Sequence, residues 1–189
     1  MKDRHYRKIL PPHRRSILAK VGTTLLVTSL KPAFASDVLP GSRSLNLHNI
    51  HTGEHLSVDY WSNGTYLPDA LEAINTILRD FRTGDVRVID PGLLDTLVRL
   101  HGKLETNKPF EVISGYRSPA TNAALHAKSE ESGVAVKSLH MQGMAVDIRV
   151  PGRPLILLRN AALTERAGGV GYYPQSDFVH VDVGRIRRW

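Results

Sequence analysis

Three side chains of metal-ligand type, His140, Asp147 and His180, lie in the last third of this 189-residue chain, with Asp177 three positions before the last of them. Two imidazoles and one carboxylate form the donor set of a mononuclear zinc site whose fourth position stays open, which separates a catalytic zinc from a closed structural one. The open position takes a water acidified to near neutrality, so the chemistry such a set supports is hydrolysis. The chain has no cysteine, so disulfides are excluded and any metal site must use His and carboxylate. Other histidines offer weaker patterns. His48, His51 and His55, spaced by three and four, imitate a ligand set but fall in a polar hairpin; His101 and His126 fall on helices and read as surface or partly packed imidazoles.

The elements that must position these groups follow from periodicity. Residues 44–61 alternate apolar and polar around His51-Thr52-Gly53-Glu54, which predicts a hairpin. Apolar-periodic runs over 70–81 and 92–104 follow Pro68 and Pro91, each proline falling in a first helical turn where a missing N–H does no harm. Residues 110–114 read as a strand, 120–128 as a helix, 145–150 as a strand and 154–163 as a helix. Two strands around a turn at 174–176 complete the chain over 169–184. The sum is an α+β domain with helices packed on a mainly antiparallel sheet. Strand alternation sends Val146, Ile148 and Val150 to one face and Ala145, Asp147 and Arg149 to the other. It likewise puts Phe178, His180 and Asp182 opposite Val179, Val181 and Val183, so His180 and Asp182 look into one cleft. Asp177 falls on the wrong face of an ideal strand, and reaches the metal only if the preceding turn curls. Asp182 either fixes a ligand imidazole by hydrogen bonding or merely closes a strand end. Tyr172 and Tyr173 read either as groove lining or as ordinary sheet residues.

The formal charge of +7 invites a nucleic-acid reading, but its position excludes one. Residues 1–35 hold eight Lys or Arg against a single acid, Asp3, and the remaining 154 residues balance 17 basic against 17 acidic side chains. Within that basic segment Arg14-Arg15 precedes a mildly apolar stretch over 21–30, Lys31 and the triplet Ala33-Phe34-Ala35. The layout resembles a twin-arginine export signal cleaved after Ala35. Its apolar stretch is about ten residues, against roughly 20 needed to cross a bilayer. The expectation is therefore a single exported domain over 36–189 with no stable membrane anchor after cleavage, working in the periplasm as a monomer.

Four strings carry a family resemblance: SGYRSPATN (114–122), SLHMQGMAVDI (138–148), GGVGYYP (168–174) and DFVHVDVG (177–184). They resemble the zinc peptidases of the D-alanyl-D-alanine carboxypeptidase and dipeptidase type, and especially the branch of exported murein endopeptidases related to them. The resemblance implies a Hedgehog/D,D-peptidase-like fold, one Zn²⁺ per chain held by His140, Asp147 and His180, and Asp177 as general acid/base. It also implies that Arg117 holds substrate or stabilises developing negative charge, and that Ser138 and Gly143 shape the loop presenting His140. The implied substrate is the cross-linked stem peptide of peptidoglycan, cut at D,D or L,D bonds. Two alternatives stay open: a D,D-carboxypeptidase or dipeptidase, and a zinc-stabilised murein-binding module that cleaves nothing.

Overall fold

A computed structural model describes residues 41–128 and 136–189; the export-signal reading over 1–35 lies outside the described residues. The chain runs β1 (Ser42–Asn49), β2 (His55–Ser62), β3 (Thr65–Tyr66), α1 (Pro68–Ile77), α2 (Pro91–Leu104), β4 (Phe110–Ser114) and α3 (Pro119–Lys128). A 3₁₀ turn (Leu139–Gln142), β5 (Ala145–Arg149), α4 (Leu155–Glu165), β6 (Gly169–Tyr173), β7 (Phe178–Asp182) and β8 (Arg187–Arg188) follow. The eight strands make one sheet in the order β3-β2-β1-β4-β5-β7-β6-β8. Only the β1–β4 and β6–β8 pairs are parallel, so the mainly antiparallel α+β expectation holds.

The predicted hairpin closes because Asn49 Oδ1 accepts the N–H groups of His51 (3.0 Å) and Thr52 (3.3 Å), the side-chain turn that asparagine favours. Leu45 and Leu47 of β1, Phe110 and Val112 of β4, Val146 and Ile148 of β5, and Val179 and Val181 of β7 form a core that α1, α2 and α4 cover. Each Leu, Ile, Val or Phe fully removed from water there contributes about 1.5–3 kcal/mol. Asp90 starts α2 by accepting the Gly92 N–H at 2.8 Å, with Pro91 in the first turn. One polar cluster anchors the hairpin side to this helix: Asp95 accepts the Tyr60 and Tyr66 hydroxyls (2.8 and 3.0 Å) and pairs with Arg43 (2.7 Å).

Helix α1 stops at Ile77, four residues short of the periodic pattern. The reason is tertiary: the Leu78 carbonyl accepts the Tyr116 N–H (2.7 Å), and buried Asp80 accepts the N–H groups of Ser118 (2.8 Å) and Arg82 (3.0 Å). The segment after α1 is thus tied to the SGYR turn that follows β4. Burial alone would raise the Asp80 carboxyl, but hydrogen bonds from Thr121, Ser118 and Arg82 outweigh it and hold the group below its ordinary value.

Replacing Asp80 with Ala strands two backbone donors, and chemical denaturation is expected to show a loss of about 1–3 kcal/mol at neutral pH. Because the folded pKa is depressed, the stabilisation from this carboxylate is present above the unfolded value near 4 and lost as pH falls through the lower folded value. The difference between wild type and Asp80→Ala should therefore shrink on acidification below about pH 4.

Candidate metal centre

Pairing register sets one row of side chains across the middle of the sheet. On β5 and β7, Asp147 stands opposite His180, and on β4 Ser114 stands opposite Asp147. The last match depends on a bulge: between Val112 and Ser114 the β4 strand advances two residues while β5 advances one. Without that extra residue Ser114 would point to the core face; the bulge re-aims it to the face of Asp147. His140 comes from outside the sheet, on the 3₁₀ turn. Ser138 caps that turn by accepting the His140 N–H (3.3 Å), and Gly143 ends it at φ +71°, a left-handed value that a side chain would strain.

The three predicted ligands meet there. His140 Nε2 lies 3.1 Å from His180 Nδ1 and 3.3 Å from Asp147 Oδ1, and His180 Nδ1 lies 2.9 Å from the same oxygen. All three residues are buried, and among the described residues theirs is the one group of three or more such side chains placed to hold a metal ion. Each imidazole has its other nitrogen engaged. His140 Nδ1–H donates to the Gly115 carbonyl at 2.7 Å, which can only accept, so Nε2 presents a lone pair to the centre. His180 Nε2–H donates to Asp182 Oδ2 at 3.0 Å, which leaves Nδ1 facing Asp147. Of the two settings the sequence offers Asp182, its carboxylate takes the one beside an imidazole, that of the candidate ligand His180. Asp182 is itself buried and held by the N–H groups of Gly169 (2.8 Å) and Gly184 (2.9 Å) and by Arg187 (2.7 Å).

The electrostatics suit a cation. Burial works against ionised Asp147, yet His140, His180 and Arg117 overcome it and hold the carboxyl well below the usual range. Burial, only partly opposed by Asp147, lowers the His140 pKa and favours the neutral ring a metal requires. His180 is also buried, but the carboxylates on both of its nitrogens raise its pKa. A lone pair on His180 Nδ1 and another on Asp147 Oδ1 at 2.9 Å repel unless a proton or a metal ion lies between them. The donor set thus fits a divalent metal, which would take the proton's place.

The remaining predicted residues divide. Arg117 is brought into the centre: its guanidinium donates to Asp147 Oδ2, lies 3.2 Å from His140 Nε2 and donates through Nε to Ser114 Oγ (2.9 Å). Asp177 is not in contact with the triad. It sits just before β7 at φ +53°, is 62% exposed, and accepts from Arg149 Nη1 at 2.9 Å. Arg149 projects from the same face of β5 as Asp147, so the left-handed residue does curl the chain and carry this carboxylate toward the site face. Tyr172 and Tyr173, neighbours on one strand, point to opposite faces. Tyr173 lies on the site face against Phe178, ring centroids 4.5 Å apart. Tyr172 lies on the helix side beneath the Arg159 guanidinium (5.3 Å), which corrects its reading as groove lining. His48 and His55 stack on each other at 3.9 Å, whereas His51 stacks on Phe81 and bonds the Ile113 carbonyl, so these three do not converge. His101 stacks on Phe110 and bonds the Lys108 carbonyl (2.8 Å), and His126 is exposed on α3.

Sequence reasoning missed Ser114, Arg149, Glu111, Arg187 and Trp189. Arg149 carried a signal, its shared face with Asp147. Glu111 joins the site because it accepts from Arg149 Nε at 2.6 Å across β4 and β5. Ser114 needed the bulge, and Arg187 and Trp189 needed the parallel pairing of β8 with β6.

A family model for the peptidoglycan L,D-endopeptidase MepK matches residues 38–189. The chain is 47% identical over 178 residues to the peptidoglycan L,D-endopeptidase MepK of Escherichia coli K12, covering 94% of this chain and 97% of that protein. It is 38% identical over 179 residues to the probable peptidoglycan L,D-endopeptidase MepK of Haemophilus influenzae, covering 94% and 95%.

Replacing Asp182 with Asn removes the carboxylate that orients His180, and competition against a chromophoric chelator is expected to show a 10–100-fold weaker affinity for zinc. In the wild type that affinity should climb as pH rises through the elevated His180 pKa, because the metal has to displace a proton there.

Proposed function

This chain belongs to the peptidoglycan L,D-endopeptidase MepK family, and from that membership we propose that it is a zinc-dependent periplasmic peptidase hydrolysing cross-links between peptidoglycan stem peptides. The observation that carries the proposal is the buried convergence of His140 Nε2, His180 Nδ1 and Asp147 Oδ1, each imidazole with its distal nitrogen engaged. L,D bonds are the first substrate class, following the names of the relatives, and D,D bonds the second. Export through the residue 1–35 signal belongs to the same reading, and the family match beginning at residue 38 supports it. Among the described residues no helix is long and apolar enough to cross a membrane.

Bound zinc would supply Lewis acidity for the scissile carbonyl and lower the pKa of the attacking water. The chain's own residues do the rest. His140, Asp147 and His180 would hold the ion; Gly115 and Asp182 fix which nitrogen of each ring is turned to the centre. Asp177 accepts the proton of the attacking water and returns it to the leaving amine. Arg149, shared between Glu111 and Asp177, keeps that carboxylate on the site face until substrate enters. Arg117, fixed by Ser114 and Asp147, presents its guanidinium beside the ligands, where negative charge grows on the carbonyl oxygen. The alternative, a zinc-stabilised murein-binding module, draws on the Arg149 pair that engages Asp177.

The test is Asp177→Ala. The variant should bind one zinc per chain with unchanged affinity yet lose about 10²–10⁴-fold in turnover on cross-linked muropeptides. Undiminished turnover would remove Asp177 as the acid/base. A wild type that binds muropeptides without cleaving them would leave the binding-module reading in its place.

A further inference from the structure

On the β6 side of the metal triad the sheet carries aromatic rings where the β4 side carries charge. The row that runs Ser114, Asp147, His180 continues to Gly171 of β6, which stands opposite His180. Strand β8 pairs with β6 through Gly169–Arg187 and Val170–Arg188, so Trp189 comes next to Gly171 in that same row. Gly171 has no side chain, and the indole occupies the space: a Cβ there would lie 2.8 Å from Trp189 Nε1 and from its ring carbon. The indole thereby reaches over β6 to within 5.2 Å of the His180 ring, centroid to centroid.

The residue is held through its backbone and its ring. The Trp189 N–H donates to the Val170 carbonyl (3.2 Å), and its carbonyl accepts the Tyr172 N–H (3.1 Å). Its indole N–H donates to the Tyr173 hydroxyl at 2.6 Å. The Arg187 guanidinium stacks at 4.9 Å from its centroid while bonded to Asp182. Despite these ties Trp189 is 50% exposed. Tyr173 and Phe178, half-buried and stacked on each other, continue the same surface outward from His180. A fixed, half-exposed indole beside candidate metal ligands has its polar atom satisfied and leaves apolar surface exposed next to the His180 ring. Rigid aromatic rings of this kind contribute large contact area at low entropic cost.

We propose that Trp189, backed by Tyr173 and Phe178, is a specificity-determining platform that receives the aliphatic arm of a cross-linked stem peptide beside the metal. The inference rests on the peptidase reading of the site. Across the centre the sheet face carries the Glu111–Arg149–Asp177 set and Arg117 instead of aromatic rings, so the two walls differ in what they offer the substrate.

Two measurements test it. The first is steady-state cleavage of muropeptide dimers by Trp189→Ala and Trp189→Phe with zinc content measured in parallel. A rise in KM of about tenfold in the alanine variant, with kcat and zinc content held and most of the affinity restored by phenylalanine, is the expected result. An unchanged KM, or a loss that follows loss of zinc, would overturn the platform and leave Trp189 as packing for the Asp182–Arg187 support. The second does not depend on cleavage. The chain has two tryptophans, and Trp61 lies against Arg43 on the hairpin side, so in a Trp61→Phe background all tryptophan emission comes from Trp189. Adding an unlabelled muropeptide dimer to this protein without metal should shift or quench that emission. An unaltered spectrum at dimer concentrations that saturate binding in a parallel calorimetric titration, or no binding at all, would refute the platform even for a protein that hydrolyses nothing.

Discussion

Burying Asp147 between two imidazoles is the constraint on which the rest of the site depends. An ionised carboxylate in a protein interior costs several kcal/mol unless charge and hydrogen bonds surround it. Nearly every local irregularity around the sheet answers that need. The β4 bulge turns Ser114 toward the row so that it can orient Arg117, and Arg117 in turn donates to Asp147. The 3₁₀ turn, capped by Ser138 and ended by Gly143, lowers His140 onto the row from outside the sheet. The Gly115 carbonyl and Asp182 then fix the two rings, and Arg187 with two backbone N–H groups satisfies Asp182. Removing Arg117 or Asp182 takes a hydrogen-bond partner from buried Asp147 or His180.

Outward from the row the sheet face divides in two. Toward β4 lie Arg117, bonded to Ser114 and Asp147, and the Glu111–Arg149 pair, which reaches across β5 to hold the Asp177 carboxylate ahead of β7. Toward β8 lie His180, Trp189, Tyr173 and Phe178, where glycines at 169 and 171 make room for Arg187 and the indole. On the proposed reading, this division gives an extended peptide two chemically different walls, aromatic on one side of the triad and charged on the other. It accords with a cross-link between two stems as substrate more than with a free chain end.

Much of this is legible in the residues. Alternation along β5 and β7 puts Asp147 and His180 on one face because both strands are regular there, and the valines between them can face only the core. Asp182 follows from the same alternation. What is not legible comes from tertiary pairing. Helix α1 ends early because Leu78 and Asp80 are claimed by the SGYR turn, a contact no local pattern encodes. Ser114 depends on a bulge, and Trp189 on a two-residue edge strand. Reading Tyr172 and Tyr173 as a unit misplaces Tyr172, because consecutive strand residues face opposite ways. Asp177 is readable only through its left-handed φ, which lets it depart from the strand's alternation.

The most direct measurement is mass spectrometry of purified cross-linked muropeptides incubated with the protein spanning residues 36–189, first after chelation and then after zinc is restored. Dimers joined through L,D bonds should persist under chelation and convert to intact monomers once zinc returns, with product stems that identify the bond cut. Persistence of every dimer in the zinc-loaded protein, or removal of terminal residues alone, would contradict a zinc-dependent endopeptidase built on His140, Asp147 and His180.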